Sequence, residues 1–579
     1  MFKNDNIYVT PSRPRITDLD SLPFPDRSYI NYEKYNQYIN DAMVKHSIGL
    51  SATRGCPYNC IYCYKIWSNK HFVRSAEDIF EEVKMFYDMG VRRFSFVDDI
   101  FNLDVKNSTR FYRLLIKNKM KVHLFFPTGV RGDIMTKDYI DLMIEAGTIN
   151  ISVALETASP RLQKLIKKNL NVDNLQTNIQ YLCEKYPQVI TNLFTMIGFP
   201  TETEEEVQMT LDFIKSIRWI HFVTPSILII FPHTRMEKIA IEYGISPEAI
   251  LKSENLAFHE LPETLPYDKS VAFNFKTRYL HEYFLAKERL LKVLPYQMKV
   301  LTEEEIVQKY NSHMSGSVSS FTQLLEIAGI TEHELGLSSK DCLDDKTVRV
   351  PALNKKIGHL FPQEELDKNA LKILLLDLSQ SFSWEDHQLS DLVEPSLGLM
   401  YLLTYLDQRL KTKIEGKIIQ SLTDFDNYSQ LKSILEEFKP DILGIRTLSF
   451  FRSFFHNTVK RIRQWGYNFP IIVGGPYATS TYETVLQDKS VDLLVLGEGE
   501  ITFAQLVEKI VENEGKLPCE EVLKEIPGIA FVPGRIDSKL KLLQDEDENY
   551  RKVKVEVPLE LEDDRREILN QFSDDLESE

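Results

Sequence analysis

Three cysteines, Cys56, Cys60 and Cys63, fall within one short loop, Cys56-Pro-Tyr-Asn-Cys60-Ile-Tyr-Cys63. Any fold this chain adopts must present those thiols together, and the spacing is built to ligate metal. Four cysteines close a tetrahedral zinc site, whereas three with no fourth ligand nearby leave one coordination position for something else. A cubane iron–sulfur cluster with one open iron fits that donor set best. A zinc site completed by His71 is the alternative, but nothing pairs with His71 at zinc-finger spacing.

The pattern of three then two intervening residues, with Tyr62 just before the last cysteine, resembles the signature of the radical S-adenosylmethionine (SAM) enzymes. That resemblance implies one 4Fe-4S cluster on Cys56, Cys60 and Cys63, its open iron chelated by the amino and carboxylate groups of SAM. It further implies reductive cleavage of SAM to a 5′-deoxyadenosyl radical, which abstracts hydrogen from a substrate. Tyr62 corresponds to the family's aromatic position against the adenine.

The bulk properties are those of a soluble globular protein of two or three domains, since 579 residues exceed what one core fills. A formal charge of −16 disfavours the basic surface that nucleic acid requires. No signal core and no apolar run of about twenty residues is visible, so no membrane partner is expected and the cytoplasm is the expected location. Cys183, Cys342 and Cys519 stand singly and make neither a disulfide framework nor a second cluster motif.

Residues 1–45, punctuated by Pro11, Pro14, Pro23 and Pro25, read as an extended arm lying on the domain that follows. From 46 to 260 short β-rich runs alternate with helical stretches, the pattern of a parallel sheet wrapped by helices. Strands are expected near 48–53, 93–98, 122–127, 149–155, 190–197 and 225–231, with helices over Ser75–Met89, Thr136–Ala146 and Thr203–Ile217. Six such units make a TIM-like partial (βα)6 barrel, whose chemistry gathers at the carboxyl ends of its strands.

The polar motifs fall at those ends. Asp98 and Asp99 end the second strand, where the radical SAM fold contacts the amino end of SAM; their alternative role is to cap the next helix. Arg131, after the third strand, is placed to meet a carboxylate bidentately. Ser152-Val-Ala-Leu-Glu156-Thr157 resembles the family's fourth-strand segment, whose glutamate hydrogen-bonds SAM. Met196-Ile-Gly198-Phe-Pro200-Thr-Glu-Thr203 resembles its fifth-strand turn, where a glycine lets backbone approach the adenosine. Residues 261–337 are helical without a catalytic motif and read as a lid or docking segment beside the barrel mouth, followed by a linker over 338–369.

A second, doubly wound α/β domain is expected over 370–535: a strand at Leu371–Asp377, helix 397–410, strand 441–446, helix 452–465, strand 470–474, helix 480–488, strand 491–496 and helix 501–513. Its turns at Gly474-Gly475 and Gly497-Glu498-Gly499, with Gly398 and Ser449, look like those of the cobalamin-binding domain attached to one large radical SAM class. The resemblance places cobalamin against these seven residues. His387 reads as a surface residue, not a lower cobalt ligand. Residues 536–579 are acidic and are expected to be a mobile tail.

Domain order departs from that class, in which the cobalamin domain comes first. The phrase Asp18-Leu-Asp-Ser-Leu-Pro-Phe-Pro-Asp-Arg27 resembles the connector that follows the cobalamin domain, yet it stands at the start, while the trailing strand Ile526-Pro-Gly-Ile-Ala-Phe-Val-Pro533 comes near the end. The chain reads as a circular permutation, with the two domains facing each other in one chain or serving neighbouring chains. The function this implies is a cobalamin-dependent radical SAM methyltransferase acting on an unactivated carbon of a small molecule or peptide, with flavodoxin or ferredoxin as electron donor. The alternative is a maturase, cyclase or rearrangement enzyme without corrinoid chemistry.

Overall fold

The computed structural model describes residues 7–64, 69–231, 234–253, 261–314, 317–362, 364–382 and 392–535. The expected tail and His387 lie outside them. After a two-residue strand β1 (Tyr8–Val9), the first domain is built on β2 (Ser47–Leu50), a short hairpin of β3 (Thr53–Arg54) and β4 (Phe72–Val73), and then β5 (Arg93–Phe96), β6 (His123–Val130), β7 (Thr148–Glu156), β8 (Ile190–Ile197) and β9 (Phe222–Ile227). Strands β2, β5, β6, β7, β8 and β9 form one six-stranded sheet in that order, all neighbours parallel, as the partial barrel requires. The last strand lies three or four residues before the expected 225–231.

Each return helix is started by its own cap. Ser75 accepts from Asp78 N–H ahead of Ala76–Asp88, Asp104 from Asn107 N–H ahead of Val105–Lys117, and Thr203 with Glu206 makes a reciprocal capping box ahead of Glu204–Ser216. Such a cap is worth about 1 kcal/mol. The outer face of the sheet is apolar: Phe96 stacks on Phe126 at 5.1 Å and meets Phe111 of a return helix at 5.7 Å. Alternation then turns Gly49, Ser95, Phe125 and Asn150, which are neighbours across the registers, to the inner face.

The helices after residue 268 do not cover the barrel mouth as expected. Lys269–Tyr279, a π-turn at Leu280–Phe284, Lys287–Val300 and Glu303–Met314 close the opposite end. Glu305 receives Arg93, the first residue of β5, at 2.8 Å and the backbone N–H of Lys45 at 2.8 Å, while Arg289 donates to Ile220 O just before β9 at 2.9 Å. Arg93 and Glu305 are both buried, so each requires the other. Their positions in sequence, 93 and 305, carried no sign of that pairing. The stretch expected as a linker also holds three short helices, Ser339–Asp341, Asp345–Val348 and Leu353–Leu360, with Leu353 and Ile357 buried.

The second sheet contains β10 (Leu371–Leu378), β11 (Ile414–Gln420), β12 (Ile442–Thr447), β13 (Ile471–Gly474), β14 (Leu493–Val495) and β15 (Ile529–Phe531). Its order is β1-β15-β14-β13-β12-β10-β11, parallel from β11 to β14 and antiparallel at β15 and β1. Strand β11 and helix Tyr428–Phe438 were not anticipated, because Ile414-Glu-Gly-Lys mixes charge and glycine as only an edge strand tolerates. The expected helix 480–488 is two pieces, Pro476–Ser480 and Tyr482–Gln487.

The amino-terminal arm lies across both domains and not on the barrel alone. Strand β1 pairs with β15, Asp26 N–H donates to Thr404 Oγ1 at 2.7 Å, and Tyr35 OH donates to Gln420 at 2.9 Å. On the barrel side Arg27 meets Glu82 at 2.8 Å, both buried. The helix Tyr32–Tyr35 inside the arm is short and capped by Asn31. Among the described residues no helix is long and apolar enough to cross a membrane.

Candidate functional site

The cysteine loop leaves β2 and returns through the β3–β4 hairpin, whose pairs Thr53↔Val73 and Arg54↔Phe72 tie its two ends together. Asp98, at the end of β5, fixes the take-off: its Oδ1 accepts Ala52 N–H at 2.7 Å, Thr53 N–H at 2.5 Å and Thr53 Oγ1 at 3.0 Å. Burial pushes its carboxyl up to about 7, and its Oδ2 has no partner. Asp99 accepts the backbone N–H of Gly55, a residue at φ +88°, with burial raising its carboxyl and His71 opposing that shift. Both aspartates thus hold the loop, and the cap of the next helix is Asp104. Asp98 is buried and engaged through Oδ1 alone; Asp99 keeps an exposed side.

The loop's second half docks on the far side of the barrel mouth through Ile61 N–H to Ile166 O at 3.1 Å and Met236 N–H to Ile61 O at 3.0 Å. Beside it, Tyr62 OH donates to Glu156 Oε1 at 3.0 Å, and Lys168 Nζ reaches the same oxygen at 2.6 Å. Glu156 has φ +66° where the β7–β8 register shifts, a left-handed conformation costly for a residue with a Cβ. Tyr62 lies edge-on to Phe199 at 6.3 Å. Burial pushes the Cys60 thiol up, while Lys168 and Arg131 pull it toward the thiolate that ligates metal.

Lys168 was missed because Lys167-Lys168 reads as a basic pair at a surface helix end, yet it is 6% exposed. Arg131 departs from its expected part. Its guanidinium forks onto Asp133, Nε to Oδ1 at 2.8 Å and a terminal nitrogen to Oδ2 at 3.0 Å, and it also donates to the carbonyls of Lys168 and Asn169. It lies over the Tyr58 ring at 4.1 Å. The carboxylate it meets is therefore the protein's own, and its position clamps Lys168 against the cysteine loop.

Gly198 has φ +90°, donates its N–H to Glu202 Oε2 at 2.5 Å, and would place a Cβ 2.9 Å from Leu265. Pro200 sits in the turn closed by Glu202 N–H to Phe199 O at 2.8 Å. Tyr267 OH also reaches Glu202 Oε2, at 3.0 Å, and burial raises that carboxyl to about 7. Glu202 and Tyr267 carried no signal strong enough to single out.

In the second domain Gly474 ends β13, Gly475 follows at φ +87° with its Cβ position 3.0 Å from Arg446, and Ser449 opens a 3-10 turn after β12. Gly497, at φ +76°, packs under Arg15 of the arm. Gly398 lies in the first turn of helix Leu397–Arg409 with open space where a Cβ would go, and Gly499 is closed by Leu402 at 2.8 Å. Glu498 departs from its expected part: Arg54 holds its Oε1 at 3.1 Å and Ile16 N–H its Oε2 at 2.8 Å. Arg54 also grips Glu500 at 2.6 Å, so Glu498 is tied into the seam between arm, cysteine loop and crevice.

The barrel mouth and this crevice face each other within the one chain. Tyr64, next to Cys63, donates its hydroxyl to Ser480 O, and Phe231, past the end of β9, meets Phe450 at 5.7 Å. Cys56 and Cys60 are half-buried and Cys63 is exposed. As the loop lies, no three His, Cys, Asp or Glu side chains among the described residues stand close enough to close on one metal ion. The donor set itself fits a cubane cluster: three thiols on one loop, with Cys183, Cys342 and Cys519 placed elsewhere. At the crevice Gly398 leaves open space that a bulky planar ligand can approach, while Gly475 packs against Arg446 and Gly474 against Val495.

Residues 50–214 match the Radical SAM superfamily and residues 390–507 match the B12 binding domain family. An uncharacterised methyltransferase of Pyrococcus horikoshii is 28% identical over 251 residues, 41% of this chain and 50% of that protein. The cytidylyl-2-hydroxyethylphosphonate methyltransferase of Streptomyces wedmorensis is 29% identical over 208 residues, 34% of this chain and 39% of that protein. This chain therefore spans half or less of these relatives' length. A radical S-adenosylmethionine methyltransferase of Kitasatospora setae, solved with tryptophan and a SAM analogue, aligns over 34% of this chain and 39% of its own at 17% identity and a TM-score of 0.31.

Proposed function

Because the chain is a radical SAM protein that carries its B12-binding domain behind the barrel, we propose that it is a cobalamin-dependent methyltransferase acting on an unactivated carbon of a small molecule or peptide. One observation carries the proposal: the cysteine loop opens toward the glycine-lined crevice, with Tyr64 bound to Ser480 across the gap. Methyl transfer requires both cofactors at one cavity, since the reacting atoms must come within a few ångströms. That both relatives are named methyltransferases supports it.

Cys56, Cys60 and Cys63 would hold a 4Fe-4S cluster, and Gly398, Ser449, Gly474, Gly475, Gly497 and Gly499 would surround a corrinoid. When bound, the cluster supplies an electron to cleave SAM and the corrinoid supplies a methyl group. The chain's own part is positional. Lys168, held by Glu156 and backed by Arg131, offers the cation for the SAM carboxylate; Glu156 and Tyr62 offer hydrogen bonds; Gly198, packed against Leu265, makes the turn beside which the adenosine would lie. Flavodoxin or ferredoxin would deliver the electron, and the cytoplasm would be the setting.

The test is corrinoid uptake and reductive SAM cleavage by the reconstituted full chain. Cys60→Ala should abolish SAM cleavage, and Gly475→Trp should abolish corrinoid binding while leaving cluster content and abortive cleavage intact. A protein that cleaves SAM but never binds corrinoid would move the function to a maturase or cyclase whose carboxyl domain recruits its substrate.

A further inference from the structure

The space between barrel and crevice holds a group of side chains that neither cofactor uses. Asp41, in the arm, and Glu394, in the loop between β10 and helix Leu397–Arg409, lie together: the Glu394 carboxyl accepts the backbone N–H of Asp41. Its Oε1 stands 2.7 Å from the Cβ position of Gly49, so only glycine on β2 admits it there. Gly49 lies opposite Ser95 in the β2–β5 register, on the inner face of the barrel. Ser95 is fully buried and its Oγ has no partner, and neither does Oε2 of Glu394. Two strands further, past Phe125 of β6, the buried Asn150 Oδ1 is likewise without one.

These unpartnered atoms are all oxygens able to accept, and a buried acceptor without a donor is destabilising. Charge points the same way. Burial raises both carboxyls, and Asp41 raises Glu394 further. The cation that opposes this at Asp41 is Arg446, which is already bound to Asp377 Oδ2 at 2.8 Å and Ser379 Oγ at 2.5 Å. That guanidinium serves Asp377 and Asp41, and no cation opposes the rise at Glu394, so the corner is short of positive charge. Asp41 is exposed, so a ligand can reach the pair.

We propose that Asp41, Glu394 and Ser95 seat a protonated primary amine of the substrate, which places that substrate among amines. An ammonium group brings three donors and one charge to a corner lined by acceptors and short of a cation. The proposal rests on the reading that the substrate is methylated in the cavity between the domains.

The test uses the full chain with cluster and corrinoid reconstituted, and two probes of one shape, butylammonium and butanol, compared by saturation-transfer NMR at neutral pH. The expected result is butylammonium binding at least tenfold tighter than butanol. Glu394→Gln should erase that preference while cluster and corrinoid contents stay at wild-type levels, and Gly49→Ala, which drives a Cβ onto Oε1, should weaken it. If Glu394→Gln does not fold, Asp41→Asn and Ser95→Ala read the same preference. Equal binding of the two probes, or a preference that survives these substitutions, overturns the seat. Corrinoid content and SAM cleavage, measured on the same preparation, keep the two questions apart: intact cofactors without an amine preference overturn the seat alone. Absence of corrinoid overturns the methyltransferase reading, and the probe comparison still decides the seat.

Discussion

Thr10 donates its backbone N–H to the carbonyl of Ile529 at 3.0 Å, and Ile529 N–H returns to Thr10 Oγ1 at 3.0 Å, across 519 positions of sequence. Strand β1 runs antiparallel to β15 with Tyr8 opposite Phe531 and Val9 opposite Ala530, so the two strands lie like the arms of a hairpin. The connector therefore follows the trailing strand in space although it precedes it in sequence.

A permuted chain should exploit this. Joining 535 to 7 through a linker of about four residues, with new termini opened near 364–370, should retain SAM cleavage and melt within a few degrees of the parent. Loss of folding in the permuted chain, as judged by circular dichroism, would show that the strand pairing does not reflect an interchangeable connection.

Arg54 sits between Glu498 and Glu500 with little exposure of any of the three. Replacing it by Met leaves two buried carboxylates facing each other, at a cost of about 3–5 kcal/mol. Urea denaturation should record that loss, with Glu498→Gln costing much less because Arg54 keeps Glu500. A neutral Arg54→Met would mean the pair is solvated.

Asp98 gives the chain a pH signature. Burial raises its carboxyl from 3.8 to about 7, so the folded chain holds the proton more tightly than the unfolded one. Stability is then greatest below the unfolded value and falls as pH rises toward about 7, by up to roughly 4 kcal/mol for a shift of this size. Asp98→Asn keeps an acceptor for Ala52 and Thr53 but cannot ionise. Its urea midpoint, compared with wild type at pH 5 and pH 8, should gain relative stability at the higher pH; a gap independent of pH refutes the assignment.

Lys168→Met should weaken SAM binding about tenfold or more while leaving iron content near wild type, because a charge-assisted contact is worth about 1.5–3 kcal/mol. Calorimetric titration of SAM into the reconstituted protein measures it. Arg131→Met should weaken SAM binding by a smaller factor, since its guanidinium acts through Lys168 and Tyr58.

Local signals explain what the sequence made legible. The cysteine spacing, the alternation of strand and helix, and glycines such as Gly198 and Gly475 each show in a few adjacent letters, and each stands where expected in the chain. What stayed hidden depends on distant partners. Arg93 finds Glu305, Lys168 finds Glu156 around a left-handed bulge, and Glu498 is taken by Arg54, so helix 303–314 seals the barrel's foot and a glycine-turn acid becomes a tie. Edge strand β11 was obscured because its one free side needs no continuous apolar pattern.

The arm touches the second domain at both ends, through β1 on β15 and through Ile39 beside Leu392, and grips the barrel between them with Arg27. A body joined to another by a single strand of chain can swing open like a door. One lashed at both margins and again in the middle cannot gape; its freedom is a small sliding of one face along the other. Traffic through the gap is then governed by the width of a fixed slot, and a guest must be slim enough to be threaded in edgewise.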